Sequence, residues 1–145
     1  MSSEELLPAL EDEMRALIRR ARHTTRELAR QVHPKLDPTS YPLLMLLSKE
    51  GALRMSSLAA ALQLDKSTVS RQVDAVVRLG LAERVPDPSD ARARLVVLTG
   101  EGHRKVDAQV ADQRDRWRSA LGGWDPDDVA ELTRLLRRLG DSGVV

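Results

Sequence analysis

Residues 4–33 carry apolar side chains at helical spacing. Leu7, Met14, Ala21 and Leu28 recur every seven positions, and Leu10 and Leu17 fall between them on an otherwise charged rod. Pro34 ends this helix, because it cannot continue the hydrogen-bond ladder. A second helix starts near Thr39, a good cap, with Pro42 in the first turn. Leu43, Leu44, Leu46 and Leu47 make it apolar nearly all round, which predicts burial, and Gly51 stops it. A third helix begins at Ser56 or Ser57 and runs to Leu62, with Leu58, Ala59 and Leu62 facing inward. Asp65 then caps a fourth, in which Val69, Val73 and Val76 share one face. Ser67, Arg71, Asp74 and Arg78 lie opposite, Thr68 and Ser70 flank them, and Gly80 supplies the left-handed exit.

The period then changes. Two strands are expected at 82–85 and 94–98, with turn chemistry in Pro86-Asp87-Pro88-Ser89-Asp90. A fifth helix over 101–121 places Val106, Val110, Trp117 and Leu121 on one face, and Gly122-Gly123 break it. Trp124-Asp125-Pro126-Asp127-Asp128 is a strong helix start: a cap, a proline at the first position and acids where the dipole favours them. The sixth helix carries Val129, Leu132, Leu135, Leu136 and Leu139 before Gly140.

This order predicts a mainly α fold with a small antiparallel β-wing: six helices around a winged helix-turn-helix. Helix, turn, helix and hairpin suit one task well, which is to lay a helix in a DNA major groove while the wing reaches the next minor groove. The terminal helices carry more apolar surface than a lobe built around the wing can cover. Each exposed leucine that becomes buried contributes ~1.5–3 kcal/mol before entropy is charged. Pairing of the first, fifth and sixth helices between two copies is therefore expected, giving a symmetric homodimer. Within a single domain, 38–100 would form the DNA-binding lobe, and 1–37 with 101–145 the dimerisation helices.

Composition narrows the chemistry. Aromatic residues are 2% and phenylalanine is absent, so the core must come from Leu, Val, Ala and Met. The chain has no cysteine, which removes disulfides, thiolate metal sites and control by thiol oxidation. No apolar run approaches the ~20 residues of a membrane span. The acidic start MSSEELLPALEDE lacks a signal-peptide core. A cytoplasmic protein of a bacterium or archaeon, on the nucleoid when bound to DNA, is expected. Net charge is only +1, but residues 54–105 hold nine basic and six acidic side chains, so the surplus falls on the helix-turn-helix and wing.

Serine and threonine hydroxyls serve phosphates or base edges, and an arginine can grip guanine O6 and N7 together. Ser67, Thr68, Ser70 and Arg71 are the candidate major-groove readers; Lys66 at the helix start, and Ser56 at the start of the preceding helix, join them as major-groove or phosphate contacts. Arg92 and Arg94 are the wing candidates, with Asp90 orienting the wing. Two arginines on an exposed hairpin could equally pair with Asp87 and Asp90, and a serine-rich helix face could simply be solvated. His23, His33 and His103 show no spacing suited to a metal, so no metal or cofactor is expected. Trp117 and Trp124 suit packing. The arginine clusters at 114–116 and 134–138 suit solvated faces with weak intrahelical pairs.

These residues resemble the multiple antibiotic resistance regulator (MarR) family of bacterial winged-helix transcription factors. Asp87-Pro88-Ser89-Asp90-Ala91-Arg92, followed by Val97-Leu98-Thr99 and Gly102, is similar to the family's D-x-x-D-x-R…L-T-x-x-G pattern. Asp65-Lys66-Ser67-Thr68-Val69-Ser70-Arg71 with Gly80-Leu81 is similar to its recognition helix and exit, and 58–64 to the preceding helix. The resemblance spans essentially the whole chain. It implies a homodimer on a palindromic operator, a minor-groove role for Arg92, and often repression relieved by a small effector. It also implies an effector cleft between the dimer helices and the DNA-binding lobe, near His33 and Tyr41 here, which an anionic aromatic molecule could enter. A winged-helix protein–protein interaction module without a DNA role is the alternative. An enzyme is not expected, since no nucleophile–histidine–carboxylate grouping has a supporting motif such as G-x-S-x-G.

Overall fold

Ser2 opens α1 (Ser3–Val32) with a capping box: its hydroxyl accepts from the Glu5 N–H and the Glu5 carboxylate accepts from the Ser2 N–H. The computed structural model describes all 145 residues, which fall into two compact units, Met1–Gln109 and Val110–Val145. In the first unit, α1 is followed by a 3-10 turn at Pro38–Ser40, α2 (Tyr41–Glu50), β1 (Leu53–Arg54), α3 (Met55–Leu62), α4 (Lys66–Arg78), β2 (Ala82–Asp87), β3 (Asp90–Leu98) and the start of α5 (Gly100–Leu121). The second unit contains the rest of α5 and α6 (Pro126–Asp141).

Three local differences from the sequence reading have clear causes. The second helix starts two residues later than expected, because Asp37, not Thr39, caps this region; its carboxylate takes the Thr39 N–H at 2.9 Å and so closes the 3-10 turn. Strand β1 was not expected. Two residues are too few for periodicity to show, and they pair antiparallel with β3 as Leu53↔Val96 and Arg54↔Leu95. The wing strands are longer than expected, and only Pro88-Ser89 forms the turn. Pro86 sits inside β2 opposite Arg94. The sheet order β1-β3-β2 makes β2 an edge, where a missing N–H is tolerated.

The core of the first unit is built from Leu and Val: Leu43, Leu44 and Leu47 of α2, Leu58 of α3, Val69, Val73 and Val76 of α4, Leu81, then Val96, Leu98 and Val106. Methionine, expected to contribute, is absent from the fully buried set; Met14, Met45 and Met55 are only half-buried. Leu46, expected to be buried with its neighbours, is also half-buried.

The exit of α4 is a Schellman motif: Leu81 N–H donates to Val76 O at 3.0 Å, and Gly80 N–H to Val77 O at 3.0 Å, with Gly80 at φ +75°. This turn feeds β2 directly and fixes where the wing leaves the helix. Thr99 then ties the wing's end to the same turn. Its N–H donates to Leu81 O at 3.0 Å, its hydroxyl donates to Gly80 O at 2.6 Å, and that hydroxyl accepts from Gly102 N–H at 3.0 Å. One threonine thus starts α5 and pins it to the α4–β2 junction.

In the second unit, Asp125 caps α6, accepting from Asp127 N–H at 2.8 Å, with Pro126 in the first turn. No residue of α6 is buried, and Val129, Leu132, Leu135 and Leu136 are exposed, as is Trp117. Leu6, Leu7, Leu10, Leu17 and Ile18 of α1 are exposed as well. No helix is long and apolar enough to cross a membrane.

Candidate nucleic-acid interface

The N-terminal turn of α4 presents Lys66, Ser67 and Arg71 to solvent, with Thr68 and Ser70 half-buried at its flanks. Asp65 organises this turn. Its two carboxylate oxygens accept the hydroxyls of Ser67 and Thr68, one each, and Arg71 Nη2 donates to Thr68 Oγ1 at 3.3 Å. The Ser67 hydroxyl, followed by the Thr68 hydroxyl, brings the Asp65 pKa down to about 2. A depressed carboxyl pKa favours this arrangement above the unfolded value, 3.8. The benefit disappears only as pH falls toward 2, so the turn keeps its charge and geometry across the physiological range. Ser56, near the start of α3, is exposed.

The wing is held by a clamp that the sequence did not reveal. Arg54 of β1 donates from Nε to Asp87 Oδ2 at 2.7 Å and lies 2.6 Å away through Nη2. The other Asp87 oxygen accepts the Ser89 N–H at 2.9 Å and the Ser89 hydroxyl at 2.8 Å. Ser89, then Arg54, hold the Asp87 carboxyl below its usual range. At 7% exposure Asp87 is shielded from solvent, so the clamp anchors the turn at Pro88-Ser89 to β1. The Asp-Pro-Ser turn was legible, but its arginine partner is 33 residues away in sequence.

With Asp87 occupied, the pairing of wing arginines with Asp87 and Asp90 is not what forms. Asp90 Oδ1 accepts the backbone N–H of Arg92 at 3.0 Å and so shapes the main chain rather than the guanidinium. Arg92 and Arg94 are exposed on β3, and neither joins an ion pair. A second link joins wing to helix: Arg84 of β2 pairs with Asp74 of α4 at 2.5 Å. Asp74, expected on the open face of the helix, turns instead toward the wing and fixes one relative to the other.

The remaining candidates are already engaged. Tyr41 donates its hydroxyl to Gln109 Oε1 at 2.6 Å, and burial pushes its pKa up. Gln109 is 4% exposed, and its Nε2 has no partner. His33 Nδ1 accepts the Lys35 N–H at 3.0 Å. Tyr41→Phe would leave the buried Gln109 amide with neither end paired, which costs about 1–3 kcal/mol. Thermal unfolding of this variant should therefore shift down by several degrees, and an unchanged midpoint would show that the bond contributes nothing. No group of three or more His, Cys, Asp or Glu side chains is arranged to hold a metal.

Helix-turn-helix, Schellman exit and clamped wing form one continuous unit, and comparison with known proteins assigns it. The MarR family model matches residues 35–93, from the turn before α2 into β3. Over 139 residues, 96% of each chain, the sequence is 31% identical to the HTH-type transcriptional regulator YxaD of Bacillus subtilis. The chain belongs to the MarR family. It is a transcriptional regulator of that family and not an enzyme. It is also similar to the HTH-type transcriptional repressor NicR of Pseudomonas putida, with 27% identity covering 87% of this chain and 81% of that one. A solved structure of BpsR from Bordetella bronchiseptica superposes with a TM-score of 0.62 and 28% identity, covering 87% of this chain and 91% of BpsR. That structure is described by the regulation of BpsR DNA binding by 6-hydroxynicotinic acid.

Proposed function

We propose that this MarR-family protein is a homodimeric repressor that binds a pseudo-palindromic operator in double-stranded DNA and is released by a small effector. The observation that carries the DNA reading is the pairing of two exposed surfaces joined by an ion pair. Lys66, Ser67 and Arg71 are exposed at the start of α4, Arg92 and Arg94 are unpaired on the wing, and Asp74–Arg84 ties the two together. α4 enters the major groove by its N-terminal turn, and Arg92 reaches a narrow minor groove, where negative potential is concentrated. Two copies place their α4 helices about one helical turn of DNA apart. The exposed leucines of α1 and α6 support the second copy, because each one that becomes buried contributes about 1.5–3 kcal/mol before entropy is charged.

The hydrogen bonds within the turn support different tasks for the α4 side chains. Ser67 and Thr68 give their hydroxyl hydrogens to Asp65, so they meet DNA as acceptors. Phosphate has no hydrogen to offer them, whereas cytosine N4 and adenine N6 do. Lys66, with no such partner, suits phosphate, and Arg71 suits a guanine edge. Arg71→Ala should therefore cost about 1–3 kcal/mol on the operator and little on random DNA. Lys66→Ala should weaken both alike and flatten the salt dependence by about one unit of slope. Fluorescence anisotropy on operator and scrambled duplexes separates the two; equal losses for Arg71→Ala on both duplexes would contradict base reading by this residue. Repression is supported by the likeness to NicR, and release by an effector by the likeness to BpsR.

A further inference from the structure

Charge is divided along α1. Residues 4–13 carry five carboxylates and no basic side chain, whereas residues 15–30 carry six arginines and one glutamate. Arg15, Arg19, Arg22, Arg26 and Arg30 follow one another at steps of three or four, so all five share one face of the helix. At 1.5 Å per residue the row is roughly 22 Å long. All five are exposed. Arg15 pairs with Glu11 and Asp12, and Arg30 with Glu27. Arg19, Arg22 and Arg26, the middle of the row, join no ion pair. Like charges at this spacing repel one another, so the row destabilises the helix until an outside anion meets it.

The neighbours of the row select the anion. Arg22 and Arg26 line a groove of about 540 Å³ whose far wall is the 3-10 turn, with Asp37, Pro38 and Thr39. The one carboxylate there is engaged by its own turn: Asp37 Oδ1 accepts the Thr39 N–H at 2.9 Å and the Thr39 hydroxyl at 2.8 Å. Thr39 also borders Thr68 of α4 in the adjoining cleft. The arginines and the DNA-facing turn of α4 thus flank one 3-10 turn, within the same compact unit. The acidic half of a second α1 is the competing partner. However, Glu5 is held in the capping box, and Glu11 and Asp12 already pair with Arg15. We propose that the arginine row of α1, centred on Arg22 and Arg26, is a further DNA-binding surface that holds the phosphate backbone beside the segment read by α4.

The proposal rests on the DNA-binding reading and enlarges its footprint. Duplex DNA carries one charge per ~1.7 Å of its axis, so a row of this length meets several phosphates. Phosphate contacts set position and strength but carry no sequence information. Arg22 and Arg26 therefore hold the backbone, while α4 and the wing select the sequence.

The test titrates the full chain against its own promoter-region duplex and a scrambled duplex across a salt series. Arg22→Gln/Arg26→Gln should weaken binding to both duplexes by roughly tenfold or more, and flatten the salt dependence by about two units of slope per copy bound. The preference for the promoter duplex should stay as it was. Arg22→Lys/Arg26→Lys should restore affinity and slope, because an ammonium serves a phosphate as a point charge. Arg20→Gln/Arg104→Gln is the control: it removes the same charge from two exposed arginines outside the row and should leave the slope nearly unchanged. Glutamine is a good helix former, so helix content and sedimentation should match the parent chain in every variant. An unchanged slope in Arg22→Gln/Arg26→Gln, an equal loss in the control, or no recovery with lysine would overturn the proposal. A changed oligomeric state in Arg22→Gln/Arg26→Gln would also overturn it, by assigning the row to a second copy. If the unaltered chain binds neither duplex at low salt, the DNA reading itself fails and this surface fails with it.

Discussion

Gly102→Ala should destabilise the protein by about 3 kcal/mol or more, at the upper end of what overpacking costs. A Cβ at Gly102 would lie 1.9 Å from Leu81 O and 2.8 Å from Leu81 C. This obstacle is backbone, and it is not free to withdraw. Leu81 N–H closes the Schellman turn onto Val76, and Leu81 O accepts from Thr99 N–H. Relief requires α5 to move off the α4–β2 junction, breaking the Thr99 bonds that start it. For a chain of this length the thermal midpoint should fall by roughly 6–12 °C. Gly100→Ala is the matched control, since a Cβ there meets nothing within 4 Å and φ is not positive. It should be neutral or slightly stabilising. Equal midpoints for the two variants would show that the close approach does not constrain the fold. The glycine of the L-T-x-x-G pattern was legible as a motif, but its reason was not. Only the fold brings Leu81 against it.

The second large effect concerns α6. Leu132 and Leu136 are 40% and 50% exposed within the chain, so replacing both by glutamate costs the isolated chain little. If they meet a second copy, the double variant Leu132→Glu/Leu136→Glu places four carboxylates in an apolar interface. Sedimentation should then report a monomer at micromolar concentration, with helix content unchanged. Operator affinity should fall by about 10²-fold or more, because the second half-site is no longer engaged at the millimolar effective concentration that tethering provides. A dimer that survives the double substitution would move the interface elsewhere on the chain.

Elements governed by local chemistry could be read directly. The Asp125-Pro126 start of α6, the Gly51 and Gly80 exits and the valine face of α4 each depend on residues within one or two turns. What could not be read depends on residues distant in sequence. Arg54 meets Asp87 across the sheet, Asp74 meets Arg84 across the helix–strand turn, and Tyr41 meets Gln109 from another helix. Periodicity contains no information about such partners. The candidate readers on α4 fall between these cases. Their positions followed from spacing, but the direction of their hydrogen bonds did not, because Asp65 was read as a cap and serves as the acceptor for two of them. The effector candidates His33 and Tyr41 came from family resemblance alone; the partners they meet, the Lys35 N–H and the Gln109 amide, were not legible either.

The most direct test of the central claim is a titration of the purified protein against its own promoter-region duplex and a scrambled duplex at several salt concentrations. The account predicts tighter binding to the promoter duplex, with log affinity falling linearly and steeply against log salt as phosphate contacts from both copies release counterions. Failure to bind either duplex, even at low salt, would contradict it and leave the winged helix as a surface for another protein.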